Sequence, residues 1–424
     1  MLDIRLLRDD PERVKAAVKS RGGDAYQLVD EVLACDVERR SAETEKQSLQ
    51  SERKQLSKGI GAKKKAGEDT TELEAHVREI GAKISEIGER AEAADTRQQE
   101  LLLQIPNMPH DGCPVGLDET ANPVIRSWGE PEHRDEEGRE DHVAIAQRLG
   151  LVDFEAAGKI SGSGFAVFTG QGARLQRALI QFLLDLQSQQ HGYKEVSPPV
   201  LVRRDCMFGT GQLPKFEDDM YGIEDGGIFL APTAEVPVTN LVREQILKVE
   251  ELPVKLTAYT PCFRREAGSA GRESRGLIRM HQFDKIELVK VTHPDKAEEE
   301  LESLTADAEK VLQLLELPYR VIELCTGDIG FSSAKTYDLE VWAPGHGGFL
   351  EVSSCSHFGD YQARRMKLRF KDEDGKNKFC HTLNGSGTAL PRLYVALLET
   401  HLQPDGSISI PKPLQPYFGA DSIS

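Results

Sequence analysis

Two segments near the middle of the sequence carry residue types that could bind a nucleotide. Residues 261–268 read PCFRREAG and, after a loop rich in Gly, Ser and Arg, residues 279–287 read RMHQFDKIE. This order predicts a strand, a loop and a returning strand, with arginines at both ends of the loop. Guanidinium groups bind phosphate oxygens in pairs, and an aromatic ring can stack on a base. The sequence has no G-x-x-x-x-G-K-[ST] phosphate loop and no strand-linked G-x-G-x-x-G, so any nucleotide site must be built from side chains.

Strand alternation predicts which residues of the returning strand share a face. A period of two places Phe283, Lys285 and Glu287 on one face, and Asp284 and Ile286 on the other. An aromatic ring and a carboxylate would then point to the same side of the sheet. A charged surface hairpin with one core phenylalanine is an alternative interpretation of the same pattern.

The elements that must position these residues begin with a long helical hairpin near the N-terminus. Apolar and small residues follow one another at spacings of three and four, which predicts a heptad seam that needs a partner helix. They are Val77, Ile80, Ile84, Ile87, Ala91, Ala94, Gln98 and Leu101. Residues 29–56 supply the partner and residues 59–67 the turn, so that 29–102 forms an arm. A coiled coil that acts only as a spacer or dimerisation device is the alternative.

A larger domain follows this arm. Four prolines, at 106, 109, 114 and 123, mark 105–133 as a linker between an N-terminal domain (1–104) and a second domain (134–424). In the second domain β-rich segments lie between helices, at 228–231, 254–263, 280–290, 319–324 and 347–355. This spacing predicts an α+β domain built on a mainly antiparallel sheet flanked by helices.

Composition restricts the partners of this 424-residue chain. A formal charge of −17 repels polyanions at long range, so any contact with nucleic acid must be local. A local basic patch exists, because residues 36–65 contain nine Lys or Arg against five acids. The patch is the candidate nucleic-acid footprint.

Cysteine usage and hydropathy indicate the compartment. The seven cysteines include no C-x-x-C pair, which argues against a disulfide framework and against a thiolate zinc site. No run approaches the roughly 18 to 20 apolar residues that span a bilayer, and the N-terminus lacks an apolar signal core. We expect a cytoplasmic protein that binds neither zinc nor a membrane.

The segment from Phe263 to Glu287 resembles motif 2 of the class II aminoacyl-tRNA synthetases. Residues 383–387 (LNGSG) followed by Leu390-Pro391-Arg392 resemble motif 3, and the predicted helix ending near Gly192 with Pro199 resembles the dimer-forming motif 1. The class I signatures H-I-G-H and K-M-S-K-S are absent from the sequence.

Within class II, the sequence is similar to the seryl-tRNA synthetases of the bacterial type. Residues 211–216 (GQLPKF), 233–235 (TAE) and 351–356 (EVSSCS), together with the N-terminal hairpin, carry this resemblance. It runs from residue 1 to about 412 and implies activation of L-serine with ATP and transfer of serine to tRNA(Ser), and to tRNA(Sec). The resemblance also implies a homodimer.

The resemblance implies a role for each site residue. The catalytic positions would be Arg264, Glu266 and Arg392. The ATP-binding positions would be Arg264, Arg265, Glu266, Arg279, Phe283, Glu351, Val352, Ser353, Ser354 and Arg392. The serine-binding positions would be Thr233, Ala234, Glu235, Glu287 and Ser386, and the tRNA-binding positions would be Arg39, Arg40, Arg53, Lys54 and Lys58.

The resemblance further implies a Mg²⁺ held by Glu351 and Ser354, whose hard oxygens suit that ion. Strict alternation would place these two side chains on opposite faces of a strand, so a β-bulge is needed if both bind one ion. A strand end capped by hydroxyls is the alternative. The glycine-rich loop 267–276 would close over the substrates, or is simply flexible.

Two other functions remain open on the sequence. A synthetase-like enzyme could load serine onto a carrier protein, but the complete hairpin argues against it. A coiled-coil RNA-binding module with an inactive catalytic domain is the other, and the presence of Arg264, Glu287 and Arg392 argues against loss of activity.

Overall fold

The computed structural model of the 424-residue chain describes residues 1–134, 140–223, 226–267 and 275–424. The chain forms two compact units, Met1–Pro106 and Asn107–Ser424. Most of the predicted linker 105–133 belongs to the second unit, and its residues Val124–Trp128 form a strand of that unit's main sheet. Backbone pairing with Tyr319–Glu323 holds that stretch in place.

The first unit is helical, with two short helices before the arm. Its helices are α1 (Ile4–Asp9), α2 (Pro11–Lys19), α3 (Leu28–Lys65) and α4 (Thr71–Leu102), with a 3₁₀ turn at Ala25–Gln27. Asp3 and Asp10 begin α1 and α2 as N-caps, since each side chain accepts a hydrogen bond from a backbone N–H of the first turn.

The long helices α3 and α4 pack against each other and confirm the predicted hairpin arm. Ile80, Ile87, Ala91, Ala94 and Leu101 of the predicted seam are buried. The predicted turn at 59–67 is wrong. Helix α3 continues through two glycines to Lys65, and the chain reverses between Ala66 and Thr70, where Gly67 has a left-handed φ of 77°.

The described part of the second unit is an α+β fold. Its helices are α5 (His142–Arg148), α6 (Phe154–Ser161), α7 (Gly170–Asp185, extended by a π turn at Leu186–Gln190), α8 (Arg204–Thr210), α9 (Glu235–Thr239), α10 (Ala297–Leu314), α11 (Tyr361–Met366), α12 (Leu390–Thr400) and α13 (Gln415–Phe418). Short 3₁₀ turns lie at Glu119–Ala121, Glu217–Asp219, Asn240–Val242, Val249–Glu251 and Pro294–Lys296.

Its strands are β1 (Val124–Trp128), β2 (Val152–Asp153), β3 (Val167–Phe168), β4 (Lys194–Glu195), β5 (Leu201–Arg203), β6 (Ile228–Leu230), β7 (Ile246–Lys248), β8 (Val254–Phe263), β9 (Gln282–Thr292), β10 (Tyr319–Glu323), β11 (Lys335–Ala343), β12 (Gly348–His357), β13 (Arg369–Lys371), β14 (Asn377–Phe379), β15 (His381–Ala389), β16 (Ile408–Ser409) and β17 (Ser422–Ile423).

Eight of these strands form the main sheet, in the order β1-β10-β11-β12-β15-β9-β8-β4. Each neighbouring pair is antiparallel except β4 with β8, which confirms the predicted mainly antiparallel sheet. Helices α7, α10 and α12 cover one face, where Ile286 and Leu288 of β9 join the main hydrophobic core. Polar side chains of β9, β12 and β15 therefore line the opposite face.

Candidate active site

A cavity of about 770 Å³ opens on the polar face of the sheet. It gathers twelve of the residues that the sequence marked as binding ATP, serine or magnesium. These are Thr233, Glu235, Arg264, Glu266, Arg279, Phe283, Glu287, Glu351, Val352, Ser354, Ser386 and Arg392. Ala234, Arg265 and Ser353 do not line it. Ala234 and Ser353 are buried, and the N–H of Arg265 bonds the carbonyl of Asp219.

Arginines surround one end of the cavity. The guanidinium of Arg264 lies 5.2 Å from the ring centre of Phe283, and its Nε donates to the carbonyl of Pro232 at 3.3 Å. Arg392 donates from Nε to the carbonyl of Ile278 at 3.1 Å. These backbone anchors fix both guanidinium groups at the cavity, and that of Arg264 lies near an aromatic face. This arrangement is suited to binding a polyphosphate and a base.

Two further contacts complete this end of the cavity. Glu266 has a left-handed φ of 53° and forms an ion pair with Arg279, so the two ends of the connecting loop are held together. The predicted closing loop 267–276 falls mainly on residues 268–274, which lie outside the described residues.

The β-bulge that the sequence required is present in β12. Glu351 pairs with Glu340 and Ser353 with Leu339, so Val352 is the extra residue. The bulge brings Glu351 and Ser354 to the cavity side of one strand. Opposite Ser354 on β11 lies Asp338, whose Oδ1 is buried and has no hydrogen-bond partner among the described residues.

Three side chains form a compact polar group at the other end of the cavity. Lys285 Nζ lies 2.6 Å from Glu287 Oε2 and donates to Thr233 Oγ1 at 2.7 Å. Thr233 Oγ1 donates to Glu287 Oε2 at 2.9 Å. The other carboxylate oxygen, Glu287 Oε1, is buried with no partner in the part of the chain that the structure describes. That oxygen is an acceptor available to a ligand that donates a hydrogen bond.

Glu235 is a second buried carboxylate beside this group. Its Oε1 accepts from Gln362 Nε2 at 2.7 Å, and its Oε2 lies 3.5 Å from Gln212 Nε2. Burial, together with the nearby charge of Glu287, raises the pKa of Glu235 to about 7. A cationic amine placed here would favour the ionised form.

Sequence reasoning missed the partners of these carboxylates. The sequence could have indicated Lys285, because strand alternation placed it on the same face as Glu287. Nothing in the sequence indicated Gln362, since it lies in α11, seventy residues after the end of β9. Gln362 reaches Glu235 because Thr382 donates to its Oε1 at 2.8 Å and fixes the amide.

The five predicted tRNA-binding residues of the arm fall into two groups by their contacts. Arg39 and Arg40 donate to the buried carboxylate of Asp36 at 3.2 and 3.0 Å. Arg53, Lys54 and Lys58 are exposed, border one shallow surface of α3 and form no ion pair within the described ranges. Arg40 is also exposed, but among these five residues only the second group combines exposure with freedom from ion pairs in the described ranges.

Comparison with known proteins first defines the class. Residues 219–401 match the family model described as the tRNA synthetase class II core domain (G, H, P, S and T). A prolyl-tRNA synthetase of Giardia lamblia in complex with prolyl-adenylate shares the fold, with a TM-score of 0.56 at 16% identity over 65% of this chain and 55% of that chain. The chain therefore has the class II aminoacyl-tRNA synthetase core.

The family follows from the whole chain. Residues 1–109 match the seryl-tRNA synthetase N-terminal domain. The serine–tRNA ligase of Akkermansia muciniphila is 65% identical over 100% of this chain and 99% of its own length, and that of Thermodesulfovibrio yellowstonii is 51% identical over the whole of both. The seryl-tRNA synthetase of Pyrococcus horikoshii complexed with ATP matches with a TM-score of 0.95 at 39% identity, covering 100% of this chain and 99% of that one. The chain belongs to the seryl-tRNA synthetases, the class II enzymes that join serine to tRNA with ATP.

Proposed function

We propose that the cavity activates L-serine, with ATP at its arginine end and the amino acid at its carboxylate end. The gathering of twelve predicted residues around one cavity supports this assignment. Arg264, Arg279 and Arg392 hold the triphosphate, Phe283 stacks on adenine, and Glu266 orients Arg279. Attack of the serine carboxylate on the α-phosphorus builds charge on phosphoryl oxygens, and fixed guanidinium groups stabilise that charge without a strong general base.

Serine recognition uses the polar groups at the other end. Glu235 receives the ammonium group with Thr233 beside it, while Glu287 and Ser386 receive the hydroxyl. Alanine leaves Glu287 Oε1 unpaired, and a site built around a hydroxyl can reject such an analogue by roughly 10⁴-fold. Ala234, which is fully buried, shapes the pocket from behind.

The donor set fits a magnesium ion. Glu351 and Ser354 offer hard oxygens on one side of β12, and Asp338 Oδ1, which has no hydrogen-bond partner among the described residues, lies opposite Ser354. When bound, Mg²⁺ neutralises charge on the triphosphate. The protein's part is to hold the two oxygens through the Val352 bulge, and Ser353 fixes the neighbouring strand by donating to the carbonyl of Ser386.

The arm's task is to bind tRNA(Ser), and also tRNA(Sec), by shape and phosphate contacts. The exposed patch of Arg53, Lys54 and Lys58 supports this role more strongly than Arg39 and Arg40, which are committed to Asp36. On this proposal residues 29–102 serve as the tRNA-binding arm and 134–424 as the catalytic domain of a cytoplasmic homodimer. Among the described residues no helix is long and apolar enough to cross a membrane.

Two adjacent arginines provide a sharp test of the catalytic assignment. Arg264→Ala should nearly abolish serine-dependent ATP–pyrophosphate exchange, whereas Arg265→Ala, whose side chain lies outside the cavity lining, should retain most of it. Equal activity in the two variants would contradict the assignment.

Charging of total bacterial tRNA with each radiolabelled amino acid tests the substrate. Only serine should be transferred. Serine-dependent exchange without charging would favour the carrier-protein alternative, and no activity with any amino acid would favour a binding module.

A further inference from the structure

Lys285 lines the same cavity as the proposed serine and ATP positions, but it belongs to neither of them. Its side chain is 7% exposed and that of Glu287 is 1% exposed, so the ion pair between them is almost completely removed from water. A buried ion pair costs desolvation energy and is weak evidence for stability alone. The geometry of the Lys285 side chain fits a different role.

The direction of each hydrogen bond follows from the ammonium group. An ammonium donates and never accepts, so Thr233 Oγ1 must accept from Lys285 Nζ. The single hydroxyl proton of Thr233 is then free to point at Glu287 Oε2, 2.9 Å away. Lys285 thereby sets the orientation of the threonine hydroxyl.

The same contacts decide which carboxylate oxygen is left for the substrate. Lys285 and Thr233 both address Glu287 Oε2, at 2.6 and 2.9 Å. Glu287 Oε1 remains buried without a partner in the described ranges of the chain. A carboxylate held in this way can only accept at Oε1, so the pocket demands a substrate that donates there.

We infer that Lys285 is the positioning residue that makes the pocket selective for a hydroxyl-bearing amino acid. It pairs with Glu287 Oε2 and orients Thr233, and so leaves Glu287 Oε1 as a fixed acceptor for the serine hydroxyl. Without this cation Glu287 loses its pairing partner beside the second buried carboxylate, Glu235, and Oε1 is no longer held as an acceptor. The inference rests on the proposed placement of serine at this end of the cavity.

The test compares serine with alanine in ATP–pyrophosphate exchange by the full-length enzyme. Lys285→Met removes the charge with little change in length. We expect its serine KM to rise and its preference for serine over alanine, as the ratio of kcat/KM, to fall by roughly 10- to 100-fold, with the KM for ATP nearly unchanged. Lys285→Arg, which keeps a donor cation, should recover part of the preference.

Lys290→Met is the matched control. Lys290 is also a buried lysine of β9, paired with Glu300 at 2.8 Å, but it does not line the cavity. Its loss should lower the melting temperature without changing the serine-to-alanine ratio.

Failure can be assigned to one step. If the unmodified enzyme does not activate serine, the proposed function is wrong. If it does, and Lys285→Met keeps the full preference or affects ATP and serine KM equally, the positioning role is wrong. Should Lys285→Met not fold, Lys285→Gln, which removes the charge but keeps a hydrogen-bond donor and leaves Glu287 in place, gives the same comparison. We expect it to fold and to lose most of the preference, and a fully retained preference would overturn the inference.

Discussion

Replacing Asp36 by asparagine should loosen the base of the arm and separate tRNA charging from serine activation. The carboxylate of Asp36 lies in α3 and is only 1% exposed. Arg8 reaches both of its oxygens at 2.6 Å, and Arg39 and Arg40 add contacts at 3.2 and 3.0 Å. An asparagine would leave three guanidinium groups facing one another around a neutral amide.

The magnitude follows from the pKa of the carboxyl group. Burial by itself would raise the pKa of Asp36, but the hydrogen bonds from Arg8, Gln98 and Arg39 outweigh burial and lower it from 3.8 to about 2. A shift of roughly two units at about 1.4 kcal/mol each corresponds to about 2–3 kcal/mol. Because the side chains of Arg8 and Arg40 are 29% and 53% exposed, solvent screening reduces this to about 1–2 kcal/mol.

The lowered pKa of Asp36 determines how its contribution to stability changes with pH. The Asp36 contribution is fully present above the unfolded-state pKa of about 3.8 and is lost as pH falls from there toward about 2. The asparagine variant should lack this acid-dependent loss. Its destabilisation relative to the unmodified chain is therefore largest near neutral pH and shrinks below pH 4.

Amide hydrogen exchange on the full-length chain measures the effect locally. At pH 7 the amides of α1 and of the first turns of α3 should exchange roughly 5- to 30-fold faster, which is the ratio for about 1–2 kcal/mol. Glu45→Gln is the matched control on α3, since its ion pair with Arg90 at 3.0 Å is half exposed and contributes less than about 1 kcal/mol.

Activity assays give the functional half of the same prediction. The KM for tRNA in charging should rise, while serine-dependent pyrophosphate exchange should stay the same, because the active-site cavity is built from the second unit. Exchange rates in Asp36→Asn no faster than in Glu45→Gln would refute the reasoning from burial. An equal loss of pyrophosphate exchange would refute the separation of the two activities.

Three further predictions concern the pocket, the arm and the sheet. The serine KM should rise as pH falls through about 7, because protonation of Glu235 removes the charge that receives the ammonium group, and Glu235→Gln should flatten that profile in pyrophosphate exchange. Ile87→Ala should destabilise the hairpin by about 2 kcal/mol, since Ile87 packs against Ala42, and hydrogen exchange across α4 would reveal it. Gly385→Ala should lower the thermal midpoint, because the added Cβ would lie 2.3 Å from Leu304 Cδ2, and calorimetry of the full chain would detect the change.

Local periodicity explains which parts of the fold could be predicted. The seam of α4 repeats over many turns, so errors at single positions do not change the conclusion. In β9 alternation alone placed Phe283, Lys285 and Glu287 on the cavity face, as the structure confirms. The same rule showed that Glu351 and Ser354 could share a face only through a bulge, and the bulge occurs at Val352.

Elements that depend on distant partners were not predictable in this way. Gly59 and Gly61 suggested a turn, but each costs only about 1 kcal/mol in a helix whose neighbours are good helix formers, and α3 continues through both. Strand β1 lies in a proline-rich stretch and forms because β10 offers an edge to pair with. The sequence shows the charge of Arg39, a predicted tRNA contact, but does not show that Asp36, three residues away, is its buried partner.

The two bulges beside the cavity explain how polar residues of neighbouring strands come to lie on the same, cavity-facing side of the sheet. In β12 the extra residue Val352 shifts the cavity face from Glu351 to Ser354 and Ser356. In β15 the extra residue Gly387 shifts it from Ser386 to Ala389. A Cβ at Gly387 would approach Ile286 Cγ2 to 3.2 Å, a tight contact that favours a small residue at this bulge. Each bulge thus changes which residues of its strand face the cavity, and neither polar set could be read from a single unbroken alternation.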